Sequence, residues 1–153
     1  MRDRDTAPRA ERPLTGRCHC GNLEFLLETP TRADELPLRA CACTFCVKHG
    51  ARATSDPQGR VTITIHDPGR VVHYRFGLRT ADFLICGQCG IYVAAVMSEG
   101  SSAWATVNAN TFDAVEDFAR AATPFSYEGE TAGQRGARRR ARWTPAVVAE
   151  ARR

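Results

Sequence analysis

The stretch Cys41-Ala42-Cys43-Thr44-Phe45-Cys46 places three thiols within six residues. Two further pairs flank it, Cys18-His19-Cys20 before and Cys86-Gly87-Gln88-Cys89 after, and all seven cysteines of the chain lie in these three clusters. An isolated cysteine reads as a small buried hydrophobe. Three tight clusters at these spacings read as metal ligands instead. Seven is an awkward count for a disulfide framework and a natural one for four ligands plus three. The pattern therefore predicts two zinc sites, one closed and one left open for chemistry.

Outward from the cysteines, the chain of 153 residues is long enough for one domain with its own core, and its composition is that of an ordinary globular protein. No run approaches the roughly 18 apolar residues that a membrane-crossing helix needs, so no membrane partner is expected. The start, Met1 to Pro8, alternates charges and has no apolar core of a signal peptide. The expected location is cytoplasmic, where thiols stay reduced. Net charge is +4 but uneven: Gln134 to Arg153 holds seven arginines against Glu150 and carries +6, which leaves the remainder at −2. A short arginine run is more often a solvated tail than a nucleic-acid grip, so nucleic acid is not the expected partner.

In chain order, residues 1–13 are charged, contain Pro8 and Pro13, and are expected to form a disordered tail. Cys18-His19-Cys20-Gly21 reads as a turn or strand end that brings two thiols together. Asn22 to Glu28 reads as a strand. Val61 to His66 alternates and is β-branched from Val61 to Ile65, the clearest strand in the chain. Asp67-Pro68-Gly69 is a turn signal, and Val71 to Phe76 reads as the return strand of a hairpin. Phe83 to Ile85 leads into Cys86, and Ile91–Met97 and Trp104–Val107 are further strands. Ala114, Val115, Phe118, Ala119 and Ala122 recur at helical spacing after Asp113, with Pro124 as the stop. Thr144-Pro145 predicts a short terminal helix with Thr144 as its cap.

The order C-x-C-G, then C-x-C-x-x-C, then C-x-x-C-G, together with Gly16–Gly21, Cys46–Gly50 and Val107–Asp113, resembles the glutathione-dependent formaldehyde-activating enzyme (Gfa-like, centromere protein V) family. The resemblance spans about Leu14 to Asp117. It implies a mainly β, Mss4-like fold of small antiparallel sheets with a short C-terminal helix. The corresponding division is a zinc-binding domain over 14–123 and a basic extension over 124–153. It also implies a pairing that spacing alone leaves open: Cys18, Cys20, Cys86 and Cys89 on a structural zinc, and Cys41, Cys43 and Cys46 on a catalytic zinc. Ile85 stands where the family often has an aromatic residue, and Ile91 where a small or polar one is common; neither is a ligand position.

Three thiolates leave one position of a tetrahedral ion for a fourth ligand. The implied activity is a carbon–sulfur lyase reaction run in the direction of condensation: glutathione, or a similar thiol, and formaldehyde or another small aldehyde form an S-hydroxyalkyl adduct. Arg39, Lys48, His49 and Arg52 flank the cluster with positive charge and are the candidates for meeting glutathione's carboxylates. His49 lies three residues after Cys46, a spacing that also allows it to close the metal site. His19 reads as non-ligating. The alternative function is a non-catalytic zinc-stabilised binding module whose basic tail contacts a protein or nucleic acid.

Overall fold

The computed structural model describes residues 12–151. In chain order its elements are β1 (Leu14–Arg17), β2 (Leu23–Glu28), β3 (Arg39–Cys41), α1 (Thr44–His49), β4 (Ala53–Thr54), β5 (Arg60–Ile65), β6 (Val71–Tyr74), β7 (Asp82–Cys86), β8 (Tyr92–Glu99), β9 (Ser102–Asn108), β10 (Thr123–Phe125), α2 (Ala132–Arg142) and β11 (Thr144–Glu150). The architecture is mainly β and antiparallel-dominated, with one short helix near the C-terminus, as the sequence predicts. The tail expected over residues 1–13 lies outside the described residues apart from Arg12 and Pro13.

Alternation of apolar and polar residues builds the first sheet, β1-β2-β5-β11. Leu23, Phe25 and Leu27 of β2 face Val61, Ile63 and Ile65 of β5, all buried, because side chains two apart share one face of a strand. The second group runs β6-β7-β8-β9 with antiparallel pairing throughout. β8 is buried on both faces from Tyr92 to Met97. Val93, Ala94 and Val96 join the main core, while Ala95 and Met97 lie under Trp143 at the end of α2. The free edge of β9 is shared: β11 takes Trp104 and Ala105, and β4 takes Val107 and Asn108. β4 leads to β3, and β3 pairs in parallel with β10. This last strip carries the three-cysteine stretch.

Four local expectations are corrected. The strands on either side of Asp67-Pro68-Gly69 do not form a hairpin: β5 pairs with β2 and β11, whereas β6 pairs with β7. The turn itself forms, with the Asp67 carboxylate accepting from the Gly69 amide. Asn22, however, clasps the Asp67 backbone from both sides, donating to its carbonyl (3.1 Å) and accepting from its amide (2.8 Å), and this turns the chain out of the first sheet.

The helix expected after Asp113 reduces to a single 3-10 turn, Val115–Phe118. The Asp113 carboxylate accepts from the Thr15 hydroxyl at 2.7 Å and so is tied to β1, not to a helix start. The Phe118 and Arg120 carbonyls accept from the Arg52 guanidinium, which removes the acceptors a continuing helix would need. Phe118 then stacks on Phe112 with ring centroids 4.1 Å apart.

The terminal helix expected at Thr144 is the strand β11, which fills the open edge of β5 over Ala146–Glu150. A sheet edge with unpaired amides and the β-branched pair Val147-Val148 outweigh the Thr-Pro start signal. The arginine run, expected as a solvated tail, is instead the body of α2. Thr131 and Gln134 cap it reciprocally, each side chain bonding the other's backbone amide at 3.0–3.1 Å. Arg139 is buried there, donating to the Thr80 hydroxyl at 2.8 Å and lying over Trp143; burial lowers it to about 10.

Candidate metal centres

Two tight turns meet from opposite halves of the chain. Cys18 and Cys20 leave β1 in a turn completed by Gly21 at φ +85°, and Cys86 and Cys89 leave β7 in a turn completed by Gly90 at φ +80°. Both glycines take left-handed backbone that a side chain resists. Each turn also aims an amide at a sulfur: Leu23 N–H donates to Cys18 Sγ (3.3 Å) and Cys89 N–H to Cys86 Sγ (3.4 Å). The Sγ atoms of Cys18 and Cys20 lie 3.7 Å apart and those of Cys20 and Cys86 3.5 Å, and all four sulfurs fall within 4.8 Å of one another.

These separations are far beyond a disulfide bond of about 2.05 Å. They match the edges of about 3.8 Å that a tetrahedral ion with metal–sulfur distances of about 2.3 Å requires. Burial pushes the Cys18 thiol up to about 12, with its sulfur neighbours adding to the rise against the Leu23 amide. Thiols crowded in this way oppose one another's ionisation, a demand that a divalent cation meets.

The second group is built on a different plan. Cys41 ends β3, Cys43 is the N-cap of α1, and Cys46 lies in the first turn of that helix. Cys43 Sγ accepts from the Cys46 amide at 3.4 Å, a role a cap serine would play with oxygen. The three sulfurs lie within 4.8 Å of one another, and no histidine, carboxylate or further cysteine atom joins either group among the described residues. His19 and His49 are therefore outside both groups. The Cys46 hydrogen bond, followed by the Cys43 backbone and thiol, holds the Cys41 thiol at about 5 against the effect of burial. Cys46 is pushed up by that same bond and by burial.

Aromatic rings wall the three-thiol group on one side. Phe45 sits among His49, Phe76, Phe83 and Tyr92 with centroids 4.5–5.2 Å away. Tyr92 is buried, and its hydroxyl is raised well above the usual phenol range, by burial first and then by the three cysteines. Of the three cysteines, Cys46 is buried and Cys41 and Cys43 are half-buried.

The four basic residues named from sequence have different surroundings. Arg39, half-buried, donates to the Ser55 hydroxyl at 2.5 and 3.3 Å and has no carboxylate partner among the described residues. Lys48 and His49 are exposed at the end of α1. Arg52 is engaged elsewhere, donating to the Asn110 side chain (2.7 Å) and to the Phe118 and Arg120 carbonyls. Two residues absent from the sequence-based set stand beside the cluster. Tyr127 follows β10, whose Phe125 is in register with Cys41. Arg138 of α2 lies over the Tyr127 ring at 3.6 Å, and its charge also favours the Cys41 thiolate. The Thr131-x-x-Gln134 capping signature was the available clue to that helix.

A family model described as "glutathione-dependent formaldehyde-activating enzyme" matches residues 13–128. Among solved structures, a Rhodobacter sphaeroides protein determined by structural genomics is similar at 30% identity, covering 72% of this chain and 97% of that one with a TM-score of 0.50. The family match takes in all seven cysteines and the strands that bring them together, and through it this chain belongs to the glutathione-dependent formaldehyde-activating enzyme family.

Proposed function

We propose that this chain is a zinc-dependent enzyme of carbon–sulfur lyase type that condenses glutathione, or a similar small thiol, with formaldehyde or another small aldehyde. Cys18, Cys20, Cys86 and Cys89 would hold a structural zinc, and Cys41, Cys43 and Cys46 a catalytic one. The observation that carries the reading is the difference between the two groups: four convergent thiols in one, three in the other, with no fourth protein ligand among the described residues. An all-sulfur donor set with tetrahedral edges suits zinc, and the cytosol is the proposed compartment because the thiols must stay reduced. No helix among the described residues is long and apolar enough to cross a membrane.

A zinc ion on three thiolates supplies a Lewis acid that lowers the pKa of an incoming thiol. The rest is the work of the chain. The Cys46 amide steadies Cys43 Sγ, and the β3–β10 pairing with the Ala42 N–H bond to the Phe125 carbonyl (2.9 Å) fixes the loop between Cys41 and Cys43. Phe45, Phe83 and Tyr92 keep water from one side of the reacting atoms. In the net reaction the thiol sulfur bonds to the aldehyde carbon, the carbonyl π pair passes to oxygen, and that oxygen takes the proton shed by the thiol.

The binding-module alternative loses some of its support, because part of the charge of α2 is paired within the chain. Arg135 and Arg138 both pair with Glu130, Arg140 pairs with Glu99, and Arg139 is buried. The direct test is exchange NMR with labelled formaldehyde and glutathione. The zinc-loaded protein should accelerate formation of the S-hydroxymethyl adduct over the uncatalysed rate, and Cys43→Ser should abolish the acceleration. An unchanged rate, with both zincs present, would exclude the enzyme reading for this substrate pair.

A further inference from the structure

We propose that Arg39 and Arg138 form a carboxylate-binding site beside Cys41, so that the helix lying beyond the family match selects a thiol or adduct bearing a carboxylate. The inference rests on the reading of the three-thiol group as a thiol-activating site and names the chemical class it takes.

Sheet register brings the parts together. Arg39 and Cys41 are two apart on β3, which puts both side chains on one face. Phe125 is the register partner of Cys41, and Tyr127 lies two residues further on. Arg138 reaches this strip from α2: its guanidinium covers the Tyr127 ring at 3.6 Å, while Nε and Nη2 donate to the Glu130 carboxylate at 2.8 and 3.1 Å. None of the described residues accepts from Arg138 Nη1. Among the described residues Arg39 has only the neutral Ser55 hydroxyl as acceptor, and none of them accepts from its Nε.

Charge balance points the same way. Three thiolates around a divalent ion leave one negative charge, which a single guanidinium offsets. Among the described residues, Glu130 is the one carboxylate shared by Arg138 and Arg135, and Arg39 has none. A half-buried guanidinium without an anion is costly, and Ser55, which accepts from Arg39, itself donates to the Arg142 carbonyl at 2.8 Å, one helical turn beyond Arg138. The planar fork of arginine matches a carboxylate in geometry as well as charge. Arg52, by contrast, is engaged by the Asn110 side chain through Nε and by the Phe118 and Arg120 carbonyls through Nη1, and is not assigned to this site.

The probe is S-methylglutathione, whose blocked sulfur cannot join a metal, titrated calorimetrically at low salt into the zinc-loaded protein. The wild type should bind it, and the corresponding diethyl ester should not. Arg138→Gln and Arg39→Gln should each weaken binding by about 10-fold or more, the usual effect of losing a charge-assisted hydrogen bond. Arg138→Lys should retain part of the affinity. Zinc content and melting temperature, measured on every variant, identify any that fail to fold, and the lysine variant then carries the comparison. Equal binding of the ester, no binding by the wild type, or unchanged affinity in both glutamine variants would overturn the proposal. The underlying reading fails separately. If glutathione adds no sulfur to the metal while S-methylglutathione still needs Arg138, the carboxylate site stands and thiol activation falls. If glutathione joins the metal equally well in wild type and Arg138→Gln, thiol activation stands and the carboxylate site falls.

Discussion

The Sγ atoms of Cys20 and Cys86 lie 3.5 Å apart although 66 positions separate them in the chain. No hydrogen-bonded ladder joins β1 to β7, so the four-thiol group is a direct link between the first sheet and the second. The three-thiol group links nothing of comparable span: its members come from Cys41 to Cys46.

That contrast separates two cysteine variants. Cys86→Ser should lower the melting temperature by about 10 °C or more, or prevent folding, because binding energy at a structural zinc site is folding energy. Cys43→Ser should shift melting by no more than about 3 °C, since serine can keep the helix cap, while zinc falls from two ions to one. Calorimetry with metal analysis decides; equal losses of stability in the two variants would contradict the division of roles.

Truncation after residue 128, where the family match ends, should yield a chain that does not melt cooperatively. The cut removes β11, which pairs with β5 over Ala146–Glu150, and Trp143, which covers Ala95 and Met97. An exposed central edge and an uncovered apolar face both favour aggregation. A truncated chain that melts within a few degrees of the full one would show that the extension is dispensable to the fold.

Asp56 supplies a stability term with a defined pH dependence. Burial would raise its carboxyl, but the Thr29 and Thr31 hydroxyls (2.5 and 2.8 Å) and the Gln58 amide (2.9 Å) outweigh that and hold it below the ordinary value of 3.8. A group whose pKa is depressed on folding stabilises at pH values above its unfolded pKa, and the contribution is lost as pH falls through the folded one. Asp56→Asn should therefore cost about 2 kcal/mol near pH 7, and the gap between wild type and variant should close as the pH drops below about 4. Denaturant unfolding across pH measures it; a gap that does not narrow in acid would show that the carboxylate's charge is not what stabilises.

Much of this was legible in the sequence because the decisive signals are local. Cysteine spacing, the glycines at 21 and 90 and the alternation in β2 and β5 each act within a few residues, and each reads as built. The misses have a common cause in partners distant in sequence. Asn22 redirects the chain at Asp67, Arg52 takes the carbonyls that a helix after Asp113 would use, and the open edge of β5 draws Thr144–Glu150 into a strand. Local period and cap signals are weak beside such tertiary demands. At the candidate site, the cysteines were readable from spacing, but Arg138 was not. Only the folded sheet, with Tyr127 carried past Cys41 on a neighbouring strand, brings α2 to the thiols.

Of the two proposed zinc sites, one is closed and the other accepts a fourth sulfur. Zinc per chain, combined with X-ray absorption at the zinc edge before and after glutathione, tests it most directly. Two zincs are expected, with a mean of about 3.5 sulfurs each, rising to about 4 when glutathione is added. Two zincs whose sulfur coordination does not change with glutathione would contradict it.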